Sequence, residues 1–258
     1  MTYRELLPHR ALSRYVDRFW LRCAGAPAAP TRILPDGCID VLVDVTTGAA
    51  RVVGTMTRAV LYAAPPEECL ASVRFKPGAA FTFLNTPAEE LTDRVIPATE
   101  LGLEWLGGRP RRSANVHEAL AELERRLLER VGALERDLAL RLDPRLCQAA
   151  RRLLGERAPS VDALARELGL SRQHLARVFR QRVGVSPKTF ASVARLQRAV
   201  DLLGRPESPR LAEAALALGY YDQAHMCRDF RELCALSPRE VRAARGSIFP
   251  IRSLWLEA

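Results

Sequence analysis

The chain has 258 residues, 48% of them apolar, enough to bury the cores of one large or two modest domains and too many for a disordered chain. Its net charge is +9, and the whole excess lies in residues 145–258, where 20 Lys and Arg face 11 Asp and Glu; residues 1–144 balance at 19 against 19. A neutral half joined to a basic half points to a polyanion-binding domain linked to one of another kind. Of the 39 basic residues 37 are Arg, a coding bias that explains Arg over Lys but not the one-sided distribution.

No apolar run reaches the roughly 18 residues of a membrane span. Met1–Arg10 carries charges and Pro8 rather than the apolar stretch of a secretory signal, so a cytoplasmic protein with no membrane partner is expected. Six cysteines stand at 23, 38, 69, 147, 227 and 234, none in a Cys-x-x-Cys pair. In a reducing compartment they are expected as thiols acting mostly as small buried hydrophobes; a thiol sensor or metal site is the other reading.

In chain order, Leu12, Tyr15, Val16 and Phe19 have the 3–4 spacing of a short amphipathic helix running into Trp20. Residues 24–30 read as a loop. Short strands are predicted at 32–34, 38–45, 51–55 and 70–75, punctuated by Pro35-Asp36-Gly37, Thr47-Gly48 and Pro65-Pro66. Many short strands between turns suggest a small β-barrel or sandwich. Pro77-Gly78 ends this run, and 79–84 and 88–91 read as short helices, the second opened by Pro87. Asp36, Asp40 and Asp44 fall on one strand face, toward solvent or the wall of a polar pocket.

Residues 107–112 read as a turn before a long helix, about 115 to 142. It carries Leu120, Leu123, Leu127, Val131, Leu134, Leu138 and Leu142 on a single face and stops at Asp143-Pro144. Two uses of that face stay open: packing on its own barrel, or a dimer seam between two copies. From Pro144 the pattern is helical up to an apolar, aperiodic tail, 246–258, expected to fold back on a domain.

The basic half contains an internal repeat. Leu164–Arg180 followed by Ser186-Pro187 matches Ala215–Arg231 followed by Ser237-Pro238. Gly169 and Gly219 align at an offset of 50, and His174/His225, Arg177/Arg228, Phe179/Phe230 and the Ser-Pro pairs align at 51, so the second turn has one extra residue. In each copy a Gly ends a short helix, where a left-handed cap is needed. Ser171 or Asp222 then caps the next helix. Leu170 or Tyr220 plugs the turn. Leu175, Val178 and Phe179, and in the second copy Met226 and Phe230, form the buried face. That leaves Arg172, Gln173, Ala176 and Arg177 on the outer N-terminal part of the first helix, and Gln223, Ala224, Cys227 and Arg228 on the second, where a recognition helix meets base edges in a major groove. Arg matches guanine bidentately and Gln matches adenine. His174 and His225 hold equal places, suited to packing or to a phosphate, and His225 joins the candidate DNA contacts. Residues 187–203 form a linker helix with one apolar face, suited to holding the two units about one DNA turn apart.

These residues carry a resemblance. Residues 145–245, and above all Gly219–Arg231 with Ser237-Pro238-Arg239-Glu240, resemble the DNA-binding domain of the AraC/XylS family of transcriptional regulators. Met226 and Cys227 stand where the family commonly has Phe and Ser, a packing variation. Over shorter stretches, Tyr15-Val16 to Trp20, Leu34–Asp40 and Arg74–Ala79, the N-terminal part resembles the small β-barrel sensing domains of one branch of that family. The resemblance implies base contacts from the outer faces just named, a small-molecule effector of unknown identity, and RNA polymerase as a further partner.

The expected architecture is thus α+β: a small, cupin-like β-barrel over 1–112, an amphipathic helix over 113–143, an all-α domain with two helix-turn-helix units over 144–245, and a tail over 246–258. The expected function is a ligand-responsive, sequence-specific regulator binding double-stranded DNA, with no cofactor and no catalytic site. Histidines stand only at 9, 117, 174 and 225, so a histidine-based metal site in the barrel is excluded. The alternative is an enzyme or a DNA-repair-like thiol acceptor fused to a DNA-binding module, with Cys38 as acceptor. Such a thiol needs a metal-lowered pKa and clustered cysteines, and Cys23, Cys38 and Cys69 are far apart in sequence.

Overall fold

A computed structural model describes residues 2–23, 30–107, 116–134, 136, 141–243 and 248–249. The expected loop over 24–29, most of the turn at 107–112, the helix around Leu138 and the end of the tail lie outside the described residues. Strands β1 (Thr2–Leu6), β2 (Val16–Cys23), β4 (Ile39–Asp44), β5 (Ala50–Val53), β7 (Cys69–Phe75) and β8 (Val95–Pro97) form one antiparallel sheet in the order β1-β2-β7-β4-β5-β8. Strands β3 (Thr31–Ile33) and β6 (Val60–Tyr62) form a second, smaller sheet. A strand from the tail, β9 (Ile248–Phe249), joins β3 in parallel, so the tail does fold back on the N-terminal part. The expected barrel therefore takes the form of two sheets.

The 3–4 spacing over 12–19 misled: Leu12 to Tyr15 form a tight turn, with Tyr15 N–H on the Leu12 carbonyl at 2.8 Å, and Val16 onward is strand. Strand β2 pairs on both sides, with β1 and β7. It is buried along most of its length, so its apolar residues carry no period-2 signature. Cys23 and Cys69 face each other in this register and are joined as a disulfide across 46 residues, against the expectation of six thiols. Spacing gives no sign of a pair whose members meet only when β2 and β7 do. Cys38, Cys147, Cys227 and Cys234 are free.

The two faces of the large sheet differ in chemistry. Phe19, Leu21, Val41, Val52, Val73 and Phe75 point into an apolar core. That core is closed by α1 (Ala80–Leu84), α2 (Ala88–Leu91) and α3 (Val116–Leu134). Leu120, Leu123 and Leu127 of α3 are buried there, and Val131, Leu134 and Leu142 pack against it, so the described part of the leucine face is used inside the chain. By strand alternation the opposite face presents Trp20, Arg22, Leu42, Asp40, Leu70 and Arg74.

Helices α4 (Pro144–Leu154), α5 (Val161–Glu167), α6 (Arg172–Val183), α7 (Pro187–Gly204), α8 (Leu211–Ala217), α9 (Gln223–Cys234) and α10 (Pro238–Ala243) make up the rest. They bury two cores. One gathers Leu146, Leu164, Leu175, Phe179 and Phe190; the other gathers Leu196, Leu203, Ala215, Met226 and Phe230. Helix α7 feeds both, Phe190 and Ala194 into the first, Val193 and Leu196 into the second.

Candidate nucleic-acid interface and the cavity behind it

The two repeat copies fold alike for local reasons. Gly169 and Gly219 take φ of +65° and +77°, the left-handed conformation that lets α5 and α8 end. Ser171 Oγ accepts the His174 amide at 3.1 Å and Asp222 Oδ1 accepts the His225 amide at 2.6 Å, which caps α6 and α9 as expected. Leu175 and Phe179, and Met226 and Phe230, are buried beneath.

Arg172, Gln173 and Arg177 are exposed and Ala176 half-buried on α6; Ala224 and Arg228 are exposed and Gln223 and Cys227 half-buried on α9. Each helix thus carries an arginine and a glutamine within its first two turns, Arg172 next to Gln173 on α6 and Gln223 five residues before Arg228 on α9. Arg172 lies 3.5 Å from Asp162 in an exposed pair, too weak a tie to hold it from another partner. Arg177 approaches His174 Nδ1 at 3.4 Å. His225 differs from its neighbours. Its ring stacks edge-on against Tyr220, its Nδ1 accepts the Tyr221 amide at 3.3 Å, and its Nε2 lies 3.7 Å from Asp229. It braces the turn more than it faces outward. The extra residue of the second turn is Tyr221, 87% exposed beside the start of α9; the step from offset 50 to 51 was the signal that could have singled it out.

Residues 164–244 match the family described as a helix-turn-helix domain, and residues 4–97 match one described as a domain of unknown function (DUF6597). Among curated proteins, the chain is 38% identical over 82 residues to an uncharacterized HTH-type transcriptional regulator of Haemophilus influenzae, covering 32% of this chain and 27% of that one. It is 30% identical over 128 residues to the arabinose operon regulatory protein of Escherichia coli, covering 48% and 44%. The C-terminal helices form an AraC-type helix-turn-helix domain. The chain spans less than half the length of these curated relatives. Among solved structures it is similar to an AraC-type transcriptional regulator from Chromobacterium violaceum, at 31% identity over 40% of this chain and 93% of that one, with a TM-score of 0.37.

The AraC-type domain is gripped by the sheets from the side away from its outer faces. Leu34 inserts into the second helical core, and Gln197 of α7 donates to the Pro35 carbonyl at 2.5 Å. Thr92 Oγ1 donates to the Gly184 carbonyl at 2.8 Å, and Arg32 Nη1 to the Cys234 carbonyl at 3.1 Å. Above this contact, between the two sheets, lies a cavity of about 580 Å³, a size that suits a small ligand. Asp36 and Asp40 belong to its wall, the pocket alternative of the two that alternation allowed, while Asp44 accepts the amides of Thr46 and Thr47 in a turn. Burial pushes the Asp40 carboxyl up, against the pull of Arg74. Among the described residues no cluster of His, Cys, Asp and Glu could hold a metal, and no helix is long and apolar enough to cross a membrane.

Proposed function

We propose that the protein is a sequence-specific DNA-binding regulator of transcription, working in the cytoplasm beside the genome and governed by a small molecule in the N-terminal cavity. The observation that carries this is the pair of capped helices, α6 and α9, each exposing an arginine within its first two turns on the basic half of the chain. In this reading Arg172, Gln173, Ala176 and Arg177 enter one major groove, and Gln223, Ala224, Cys227 and Arg228 the next, with Ala176 and Ala224 offering methyl contacts to thymine. RNA polymerase is the further partner through which bound protein would act. A thiol-acceptor role for Cys38 is disfavoured: burial, and then the carboxylate of Asp36, push its thiol well above the ordinary range, the reverse of activation.

Selection of duplexes from a random library by the full chain tests the reading. The expected result is a recovered site with two conserved clusters about one helical turn apart; recovery of no enriched sequence would overturn it.

A further inference from the structure

We infer that the cavity takes an elongated, apolar-centred molecule with an acidic group at one end and an amino group at the other, and that the strap of residues 54–59 reports its presence to both recognition helices. The inference rests on the regulator reading and adds the ligand's chemistry and the route of its effect.

The chemistry follows from unequal charge at the two ends of one sheet face. Leu70, Ser72 and Arg74 share a face of β7, so the floor of the cavity runs about 13 Å from first to last. At the Leu70 end two guanidiniums share one carboxylate: Arg22 is paired with Glu68, and Arg51 reaches the same group at 3.5 Å. Tyr62 also donates to it at 2.6 Å. In this group of two guanidiniums and one carboxylate a positive charge is left over, and the buried Nε of Arg22 has no hydrogen-bond partner. Among the buried charges of the Arg74 end the balance reverses, while Arg58, Asp93 and Arg94 of the lining are exposed to solvent. One guanidinium faces two carboxylates, Asp36 Oδ2 at 3.2 Å and Asp40 Oδ2 at 2.7 Å, so the two acids share a single positive charge. The neighbouring Arg18 likewise faces both Glu5 and Asp17. Between these ends the wall is apolar, with Trp20, Leu42 and Val53 on one side and Met56 and Val60 on the other. Such a cavity favours an anion at one end, a cation at the other and a hydrocarbon between, because an anion meets the unpartnered Arg22 Nε and a cation relieves two carboxylates that share one guanidinium.

The route follows from where the strap is tied. Gly54, Met56, Thr57, Arg58 and Ala59 line the cavity, while Thr55 is fully buried on the other side. Thr55 Oγ1 donates to the carbonyl of Val183, the last residue of α6, at 2.5 Å. Ala59 N–H donates to the carbonyl of Leu233, next to the last residue of α9, at 2.7 Å. One six-residue segment therefore joins the rear ends of both recognition helices and forms a wall of the cavity. A molecule that presses on Met56 and Thr57 shifts these two anchors relative to one another. The attitude of the helices decides whether both fit grooves one turn apart. An occupant that favours one attitude over another shifts the population by its difference in affinity for the two.

The test uses the full chain, 8-aminooctanoate as the bipolar probe, and octanoate and octylamine as its two halves. Calorimetry should show the bipolar probe binding at least about tenfold more tightly than either half. Asp36→Asn and Arg51→Ala should each remove that advantage. On duplexes from the library selection, rebuilt with the two clusters one base pair closer or farther apart, the probe should change the preferred spacing. Thr55→Val, which lies outside the cavity wall, should bind the probe as the parent does and lose the spacing response, and Ala59→Pro, which deletes the bond to Leu233, should lose that response too. Equal binding of the three probes, or none, overturns the ligand chemistry. A full spacing response in both strap variants overturns the route. If no duplex is enriched at all, the regulator reading fails, while the probe affinities still judge the cavity.

Discussion

Gly37, in the turn before β4, lies with its α-carbon against the ring of Phe190 on α7, so close that a Cβ would overlap the ring edge. Its φ of +77° adds a second reason for glycine. This contact adds to those of Leu34, Gln197 and Thr92 in seating the sheets on the AraC-type domain. Gly37→Ala should cost about 1–3 kcal/mol, since ring and turn must both move. Gly169→Ala, with φ of +65° and open space where its Cβ would go, should cost only the backbone strain, about 1 kcal/mol. Urea unfolding of the two variants side by side checks this; equal losses would mean that the Phe190 contact contributes nothing.

Arg177→Ala and Arg228→Ala should each relax base preference at one cluster of the bound site, at a cost of about 1–3 kcal/mol apiece. The two affected positions should lie about 10 base pairs apart, since α7 sets the spacing of the units. Binding measured across a panel of single-base operator variants resolves this. Uniform weakening on every sequence would make these arginines phosphate clamps instead.

The charge excess of residues 145–258 predicts steep salt dependence. With about six phosphates contacted, log K against log salt should fall with a slope near −5. Fluorescence anisotropy on the selected duplex between low and physiological salt measures it, and a slope near zero would remove the electrostatic basis of the interface.

Leu127 is fully buried against the large sheet. Leu127→Glu should therefore unfold the N-terminal part, read as a lower melting temperature, because an unpaired carboxylate would be buried there. Sedimentation of a well-folded variant that had only lost a partner subunit would show instead that the leucine face is a dimer seam.

The Cys23–Cys69 disulfide makes a thiol count decisive. Protein unfolded in guanidinium without reductant should expose four reactive thiols, those of Cys38, Cys147, Cys227 and Cys234, and six after reduction. Six from the start would show that the pair is held as thiols.

The AraC-type half was legible because its signals are local. Ser171 caps an amide three residues on, Gly169 and Gly219 end the helices they follow, and the buried faces repeat at helical spacing within one element. The N-terminal half was legible only where strands run through the sheet interior. Strands β3, β4, β5 and β7 fall within a residue or two of the predicted ranges; the interior strand β2 was read as a helix, and β1, β6 and β8 were missed. All three are short edge strands, which need no continuous apolar run.

Residue types and their spacing were thus enough to determine the capped helices α6 and α9, the linker between them and the arginines they expose, because each of those features is completed within a few residues of itself. Only the tertiary structure decided that Arg74 holds both Asp36 and Asp40, that Cys23 meets Cys69, that the leucines of α3 are spent inside the chain, and that Thr55 and Ala59 tie one strap to the ends of α6 and α9. Each of these joins groups from different elements, as far apart as Ala59 and Leu233. No periodicity carries such a pairing, which exists only once strand register and the docking of the two halves have brought its members together.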